Sequence, residues 1–135
     1  MDERTTRVLI ADDQSQVRSA LRLLLSQQPG VVVVGEAGDM EQAVELAETQ
    51  RPSVMLLDWE LPGRNGRPPL DRLRQARPGL VVIALSGRPE ARQAALAAGS
   101  DAFVSKVDPP ERLLAAVDRC RRKCVESQPE DGHPA

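Results

Sequence analysis

The chain has 135 residues, of which 41% are hydrophobic and 28% charged, a composition typical of one folded domain with a substantial core. Its formal net charge of −2 argues against a domain that binds nucleic acid directly through bulk electrostatics. No apolar run approaches the ~18 residues of a membrane helix, and the polar start does not resemble a signal peptide, so we expect a cytoplasmic protein with no membrane partner.

Short apolar runs recur along the chain and predict five strands. They lie at 7–11, 31–34, 54–57, 80–85 and 102–105. Within a run the apolar residues are nearly continuous, and the run at 31–34 consists entirely of valine. Continuous runs of this length are typical of strands covered on both faces, as in a parallel sheet.

Amphipathic segments separate these runs and predict five helices. They extend over 14–27, from Met40 to a break at Arg51-Pro52, from Arg67 or Pro68 to Ala76, over 89–98, and from Pro109 through Cys120. Asp39 followed by Gln42 has the spacing of a capping box, and Gly99 is expected as a left-handed C-cap. Asp108 is expected to be the N-cap of the last helix.

This alternation of strands and helices predicts an α/β fold with a parallel sheet and right-handed crossovers. Five units are too few for an eight-stranded barrel. We therefore expect a doubly wound, flavodoxin-like three-layer sandwich with strand order 2-1-3-4-5. The domain is expected to occupy 1–125, and the polar stretch 126–135 to be a disordered tail or the start of a linker. Cys120 and Cys124 are expected to be reduced thiols.

Four of the five predicted strands end in a polar side chain at the same edge of the sheet. Asp12 and Asp13 follow the first strand, Asp58 the third, Ser86 the fourth and Lys106 the fifth. In the expected strand order the first and third strands are neighbours, so the three carboxylates converge at the switch point of the sheet.

Three carboxylates in one cleft repel one another, by about 4 kcal/mol per pair at ~4 Å and an effective dielectric constant of ~20. The Lys106 ammonium or a divalent cation must relieve this repulsion, and an all-oxygen ligand set suits Mg²⁺. A metal, a hydroxyl and a lysine together can stabilise a phosphoryl group during its transfer. No histidine or cysteine is expected at this edge, which leaves Asp58 as the acceptor of the group.

At this point the chain resembles the receiver domain of a two-component response regulator. The features that carry the resemblance are Asp12-Asp13, the segment DWELPGRNG at 58–66, Ser86, and the segment GSDAFVSK at 99–106. The resemblance covers residues 7 to about 124, nearly the whole chain. It implies a signalling switch rather than an enzyme, in which Asp58 accepts a phosphoryl group from a sensor histidine kinase and can lose it by autodephosphorylation.

The resemblance also implies a metal site. Asp13 and Asp58, with the backbone carbonyl of Glu60, would bind Mg²⁺ or Mn²⁺ directly, and Asp12 mostly through water.

Further residues take their implied roles from the same resemblance. Ser86 and Lys106 would bind the phosphoryl group, and Phe103 lies where the family has its aromatic switch residue. The surface of helix four, strand five and helix five would then change shape. The output stays open between transcription through a DNA-binding domain absent from this chain, a phosphorylation-dependent homodimer, and signalling through the surface alone. The arginines of the last helix form either a solvated face or part of a partner surface.

Two departures from the family pattern affect what we expect. Val107 follows Lys106 where many receivers carry proline, so we expect a trans peptide bond there. Glu60 and Arg88 lie two residues beyond Asp58 and Ser86, positions that flank the phosphoryl group in relatives. We predict that this oppositely charged pair screens the acyl phosphate from water and lengthens its lifetime.

Two other functions remain open from the sequence. One is a hydrolase that forms an aspartyl-phosphate intermediate. Such enzymes carry a motif whose two aspartates are separated by one residue, whereas Asp12 and Asp13 are adjacent. The other is a degenerate receiver that acts as a phosphate-independent interaction module, against which the full set of polar residues at the sheet edge argues.

Overall fold

In the computed structural model, residues 5–61 and 70–127 are described, with side chains described through residue 122. The strands are Thr6–Ala11 (β1), Val31–Ala37 (β2), Val54–Asp58 (β3), Val81–Ser86 (β4) and Ala102–Ser105 (β5). All pair in parallel in one sheet of order β2-β1-β3-β4-β5. The predicted fold class and strand order are confirmed.

The helices alternate with the strands as expected. They are Ser15–Ser26 (α1), Met40–Gln50 (α2), Leu70–Ala76 (α3), Arg92–Ala97 (α4) and Pro110–Ser127 (α5). The capping-box pattern at α2 is confirmed, because Asp39 Oδ1 accepts a hydrogen bond from the Gln42 amide at 2.9 Å. The predicted start of α3, at Arg67 or Pro68, lies outside the described residues.

The start of α5 differs from the prediction. The helix begins at Pro110 rather than Pro109, so Asp108 is not its N-cap. Asp108 Oδ2 instead accepts a hydrogen bond from the Ser105 amide at 3.1 Å, which closes the loop after β5. Proline at the first helical position is favourable because its missing N–H has no partner there in any helix. The helix continues to Ser127, two residues past the predicted domain boundary at 125.

Three smaller features also concern the predicted elements. The fourth helix begins with one 3-10 turn at Pro89–Ala91 before α4 proper, where a continuous helix was expected. Strand β2 extends to Ala37, three residues beyond the valine run. Gly99 has φ of 109°, the left-handed conformation expected after α4, and the described backbone contains no cis peptide bond, as expected at Val107.

Residues alternate along the central strands between two apolar cores, one on each face of the sheet. Side chains of even-numbered residues in β1 and β3, such as Val8 and Leu56, pack with α1 and α5. Their odd-numbered neighbours, such as Leu9 and Met55, pack with α2 and α3. This period of two explains why each strand is apolar throughout, since both of its faces are covered.

Strand register places the candidate residues at one edge. Ala11 pairs with Leu57, Asp58 with Leu85, and Ser86 with Ser105. Because parallel strands run in the same direction, the residues that end or follow these pairs emerge together at the carboxyl edge. Among the described residues, no helix is long and apolar enough to cross a membrane.

Candidate functional site

Three carboxylates meet at the carboxyl edge of β1 and β3. Asp12, Asp13 and Asp58 each have an oxygen within 4.8 Å of the others. Asp12 and Asp58 are buried, at 1% and 3% exposed, whereas Asp13 is exposed. The predicted convergence of these three residues is therefore confirmed, and the cluster opens to solvent through Asp13.

The Lys106 ammonium lies between the two buried carboxylates. Its Nζ is 2.7 Å from Asp12 Oδ2 and 3.4 Å from Asp58 Oδ1. Lys106 reaches them because its own amide donates to the Ser86 carbonyl at 2.7 Å, which extends the pairing of β4 and β5 by one step. The lysine thus supplies the positive charge that two buried carboxylates need.

The ionisation of Asp58 and Lys106 reflects opposing effects. Burial raises the pKa of Asp58 above its ordinary value, and the Glu60 amide and the Lys106 ammonium offset only part of that rise. Burial alone lowers the pKa of Lys106, but the hydrogen bond to Asp12 and the charges of Asp58 and Asp12 outweigh it, so that pKa is raised. Lys106 therefore remains protonated beside the carboxylates.

The two oxygens of Asp58 have different surroundings. Oδ1 accepts a hydrogen bond from the Glu60 amide at 3.0 Å and faces Lys106. Oδ2 has no hydrogen-bond partner within residues 5–61 and 70–127. One oxygen is thus held in place while the other is available for bond formation.

The loop that carries Asp12 is held by contacts that the sequence did not reveal. Asp12 Oδ1 accepts from the Gln14 amide at 2.9 Å, and the Asp12 carbonyl accepts from Arg18 at 2.7 Å. Arg18 and Arg22 both bind the carboxylate of Glu36, at 3.2 and 2.6 Å. No sequence signal separates Arg18 from other helix arginines, because its partners lie on β2 and on the loop after β1.

Ser86 is fully buried, and its hydroxyl is occupied. Ser86 Oγ lies 2.8 Å from Glu60 Oε2 and 3.0 Å from Glu60 Oε1, and it accepts a hydrogen bond from the Arg88 amide at 3.0 Å. Arg88 Nε is 3.9 Å from Glu60 Oε2, which is an ion pair without a hydrogen bond. The sequence identified Glu60 and Arg88 as a pair but did not reveal that the Glu60 carboxylate binds the Ser86 hydroxyl.

Phe103 lies on β5 away from both apolar cores and is half-buried. It lines a groove of about 490 Å³ together with Arg92, Arg112 and Arg119. None of these three arginines has an ion-pair partner in the part of the chain that the structure describes. The groove therefore adds a basic character to the surface of α4, β5 and α5.

The remaining arginines of α5 have structural contacts. Arg122 is paired with Asp118 at 2.8 Å, and Arg121 donates to Thr6 Oγ1 at 3.1 Å. Arg121 and Arg122 thus bind within the domain, whereas Arg112 and Arg119 line the groove.

A model of the response regulator receiver domain family matches residues 8–118 of the chain. The chain belongs to this family. Receiver domains of response regulators are the partners of histidine kinases in two-component systems. The geometry described above is therefore that of a receiver domain.

Similar proteins agree with this assignment. The nitrate/nitrite response regulator NarL of Escherichia coli (strain K12) is 39% identical over 112 residues, which cover 82% of this chain and 52% of NarL. The solved receiver domain of NarL from Mycobacterium tuberculosis is 31% identical with a TM-score of 0.77, and covers 87% of this chain and 97% of that one. RcsB from Salmonella enterica, solved on a promoter with the phosphomimetic BeF₃⁻, has 26% identity, a TM-score of 0.76 and coverages of 87% and 99%.

This receiver domain spans about half the length of the curated relatives it matches. Transcriptional regulators are among those relatives.

Proposed function

We propose that this receiver domain is a phosphorylation switch in which Asp58 accepts a phosphoryl group from a sensor histidine kinase. The observation that carries the proposal is the Asp58 carboxylate itself. It is buried, one of its oxygens is held by the Glu60 amide, and the other lacks a partner within the described residues. A fixed carboxylate beside a lysine has the arrangement required of an oxygen nucleophile.

The group transfer is written with Asp58 Oδ2 as the attacking atom. A new P–O bond forms between Oδ2 and phosphorus while the P–N bond of the kinase phosphohistidine breaks, and its electron pair leaves with the imidazole nitrogen. Lys106 then shifts from the carboxylates toward the phosphoryl oxygens, and the Ser86 hydroxyl donates a hydrogen bond to one of them. The product is an acyl phosphate on Asp58.

The donor set fits a divalent cation, Mg²⁺ or Mn²⁺, bound by Asp13, Asp58 and the Glu60 backbone carbonyl. Both oxygens of Asp12 are already bound, one to Gln14 and one to Lys106, which favours contact through water for that residue. Asp13 is exposed and has no partner within the described ranges, which favours direct binding. Such a cation neutralises phosphoryl oxygens and relieves repulsion among the carboxylates.

Incubation with acetyl phosphate and Mg²⁺, followed by intact-protein mass spectrometry, tests the switch. We expect one phosphoryl group per chain. No label should form when a chelator has removed Mg²⁺, and none should form in Asp58→Asn. Asp39→Asn is the matched control: it makes the same chemical change at the N-cap of α2, where asparagine also caps, so labelling should be unchanged.

The same experiment separates the alternatives. Release of phosphate over many turnovers without accumulated label would indicate a hydrolase. Absence of label in the parent chain would indicate a phosphate-independent interaction module.

We further propose that Glu60 and Arg88 lengthen the life of the acyl phosphate by screening it from water. Their side chains form an ion pair at 3.9 Å next to Ser86. After removal of excess donor, the Glu60→Ala, Arg88→Ala double variant should lose its label several-fold faster than the parent. An unchanged decay rate would rule out this role.

We propose that the output is carried by the surface of α4, β5 and α5, in the cytoplasm and without direct contact of this domain with nucleic acid. The half-buried Phe103 and the basic groove beside it support a surface that packs differently when Ser86 moves. A homodimer formed on phosphorylation is one proposed result. Transcriptional control through a further domain is a second, supported by the relatives that are transcriptional regulators.

A further inference from the structure

The Ser86 hydroxyl cannot serve two acceptors. A serine hydroxyl has one proton to donate, and that of Ser86 is directed to the Glu60 carboxylate, at 2.8 and 3.0 Å from its two oxygens. The same oxygen accepts a hydrogen bond from the Arg88 amide at 3.0 Å. Because Ser86 is fully buried, water does not compete for the proton. A phosphoryl oxygen on Asp58 can accept a hydrogen bond from this hydroxyl only after the hydrogen bond between Ser86 and Glu60 has broken.

The Glu60 carboxylate is placed so that it can move away from Ser86. Its side chain is 41% exposed, so the carboxylate can turn toward solvent. Arg88, 67% exposed, already lies 3.9 Å from Glu60 Oε2 and can close this gap to a hydrogen-bonded pair. Meanwhile the Glu60 amide remains bonded to Asp58 Oδ1, so that the backbone need not move.

We propose that the Glu60 carboxylate is a positioning residue that holds Ser86 in the unphosphorylated arrangement and exchanges Ser86 for Arg88 when the phosphoryl group binds. This inference rests on the proposed function, since it concerns how that same site is regulated. It assigns Glu60 a third role, distinct from metal binding by its carbonyl and from the lifetime of the acyl phosphate. The state in which Ser86 is free to bind a phosphoryl group is then only partly populated. The apparent affinity of the site for a phosphoryl group or its mimic is reduced by that fraction.

Binding of beryllofluoride with saturating Mg²⁺, followed through the single tryptophan, Trp59, measures this population. The charge-assisted hydrogen bond from Ser86 to the partly exposed Glu60 carboxylate should weaken the affinity for beryllofluoride about threefold to tenfold. Glu60→Ala should therefore bind beryllofluoride about threefold to tenfold more tightly than the parent. Glu60→Gln, which still accepts a hydrogen bond but lacks the charge, should fall between them.

The decisive measurement repeats Glu60→Ala in a Ser86→Ala background. If Glu60 acts by holding the hydroxyl, its removal has little effect once the hydroxyl is gone. If Glu60 merely repels the incoming anion, the same factor appears in both backgrounds, and the proposal is overturned. Glu90→Ala is the matched control for the charge change, because Glu90 is exposed and has no partner within the described residues; its affinity should equal that of the parent.

The experiment also separates the two proposals. Beryllofluoride binding by the parent with no tightening in Glu60→Ala would overturn the role of Glu60 and leave the phosphorylation switch intact. No binding by the parent or any variant, with folding verified by circular dichroism, would overturn both.

Discussion

Lys106 holds together two carboxylates that would otherwise repel each other in a buried site. Its Nζ lies 2.7 Å from Asp12 and 3.4 Å from Asp58, and its side chain is 26% exposed. One of these two carboxylates, Asp58, is also a direct ligand of the proposed divalent cation. At the residue scale, the lysine and the proposed cation would therefore compete for the charge of Asp58, and the proposed phosphoryl group would offer the lysine a new partner.

Lys106→Met tests this competition. The variant keeps an apolar stem but leaves Asp12 buried without its cation, so we expect the metal-free protein to lose about 2 kcal/mol of stability. Mg²⁺ should restore part of this loss, because it binds more tightly once the ammonium is gone. Urea denaturation with and without Mg²⁺ measures both effects. Arg92→Met, which removes an exposed cation, should change neither the stability of the metal-free protein nor the effect of Mg²⁺ on it. If Mg²⁺ does not reduce the difference in stability between Lys106→Met and the parent, the competition is contradicted.

Glu36 gives a pH-dependent contribution to stability. The hydrogen bond from Arg22 lowers the pKa of Glu36 below 4.5, with burial opposing and Arg18 adding to the effect. A lowered pKa means that the ionised carboxylate stabilises the fold above the unfolded value of about 4.5, and that this contribution is lost as pH falls through the folded pKa.

We therefore expect Glu36→Gln to reduce stability by about 0.5–1 kcal/mol at pH 7, with the difference vanishing in acid. Thermal unfolding over a pH series measures it. Glu48→Gln, at an exposed position of α2 with no partner in the described chain, serves as the control and should match the parent throughout. A Glu36→Gln difference that persists at low pH would assign the effect to packing instead of charge.

At the scale of elements, the side chain of Arg74 links the short helix α3 to the sheet by hydrogen bonds. Arg74 donates to the Leu80 carbonyl at 3.3 Å, the Gly99 carbonyl at 3.0 Å and Asp101 Oδ2 at 2.7 Å. Asp101 Oδ2 in turn accepts from the Val82 amide at 2.9 Å. These bonds link α3 to β4 and to the loop before β5, and Leu70 and Leu73 add the apolar contact.

Arg74→Met should cost about 1–3 kcal/mol, because it leaves carbonyl groups at the start of two strands without this donor. Arg72→Met makes the same change on the same helix, where the partner Glu41 is 76% exposed, and should cost less than about 0.5 kcal/mol. Urea denaturation midpoints of the two variants provide the comparison. Equal losses would mean that helix propensity, not the Arg74 bonds, determines the stability of α3.

At the scale of the whole molecule, the two apolar cores make the sheet a rigid support for the polar residues at its carboxyl edge. Both central strands that carry carboxylates are buried on both faces. Under the proposed function, a change at Ser86 would therefore be passed along the surface of α4, β5 and α5 rather than into the cores, which are closely packed and resist deformation.

The proposed homodimer is a prediction about this whole surface. If phosphorylation drives assembly, beryllofluoride with Mg²⁺ should shift the mass in solution from that of one chain to that of two, as measured by light scattering after size exclusion. Asp58→Asn should remain at its original mass under both conditions. A parent that stays monomeric with beryllofluoride bound would exclude the homodimer and leave partner binding through the surface.

Much of the fold could be predicted because its signals lie within short windows of sequence. Continuous apolar runs defined the strands, and the carboxylates at 12, 13 and 58 followed from strand ends and strand order. The start of α5 was wrong because Asp108, a good N-cap by type, is bonded to Ser105 across the loop. A side chain with two possible backbone partners is assigned only when the loop geometry is known.

The sequence by itself therefore determined the sheet order, the edge at which the polar residues gather and the carboxylates that meet there. Only the tertiary structure decided which partners those residues bind: Glu60 on Ser86, Arg18 on the Asp12 carbonyl, and Lys106 nearer to Asp12 than to Asp58. The physical reason is the separation along the chain of the residues that determine each property. Periodicity and strand ends are local properties of the chain, whereas the choice between acceptors depends on differences of an ångström between groups that are distant in sequence.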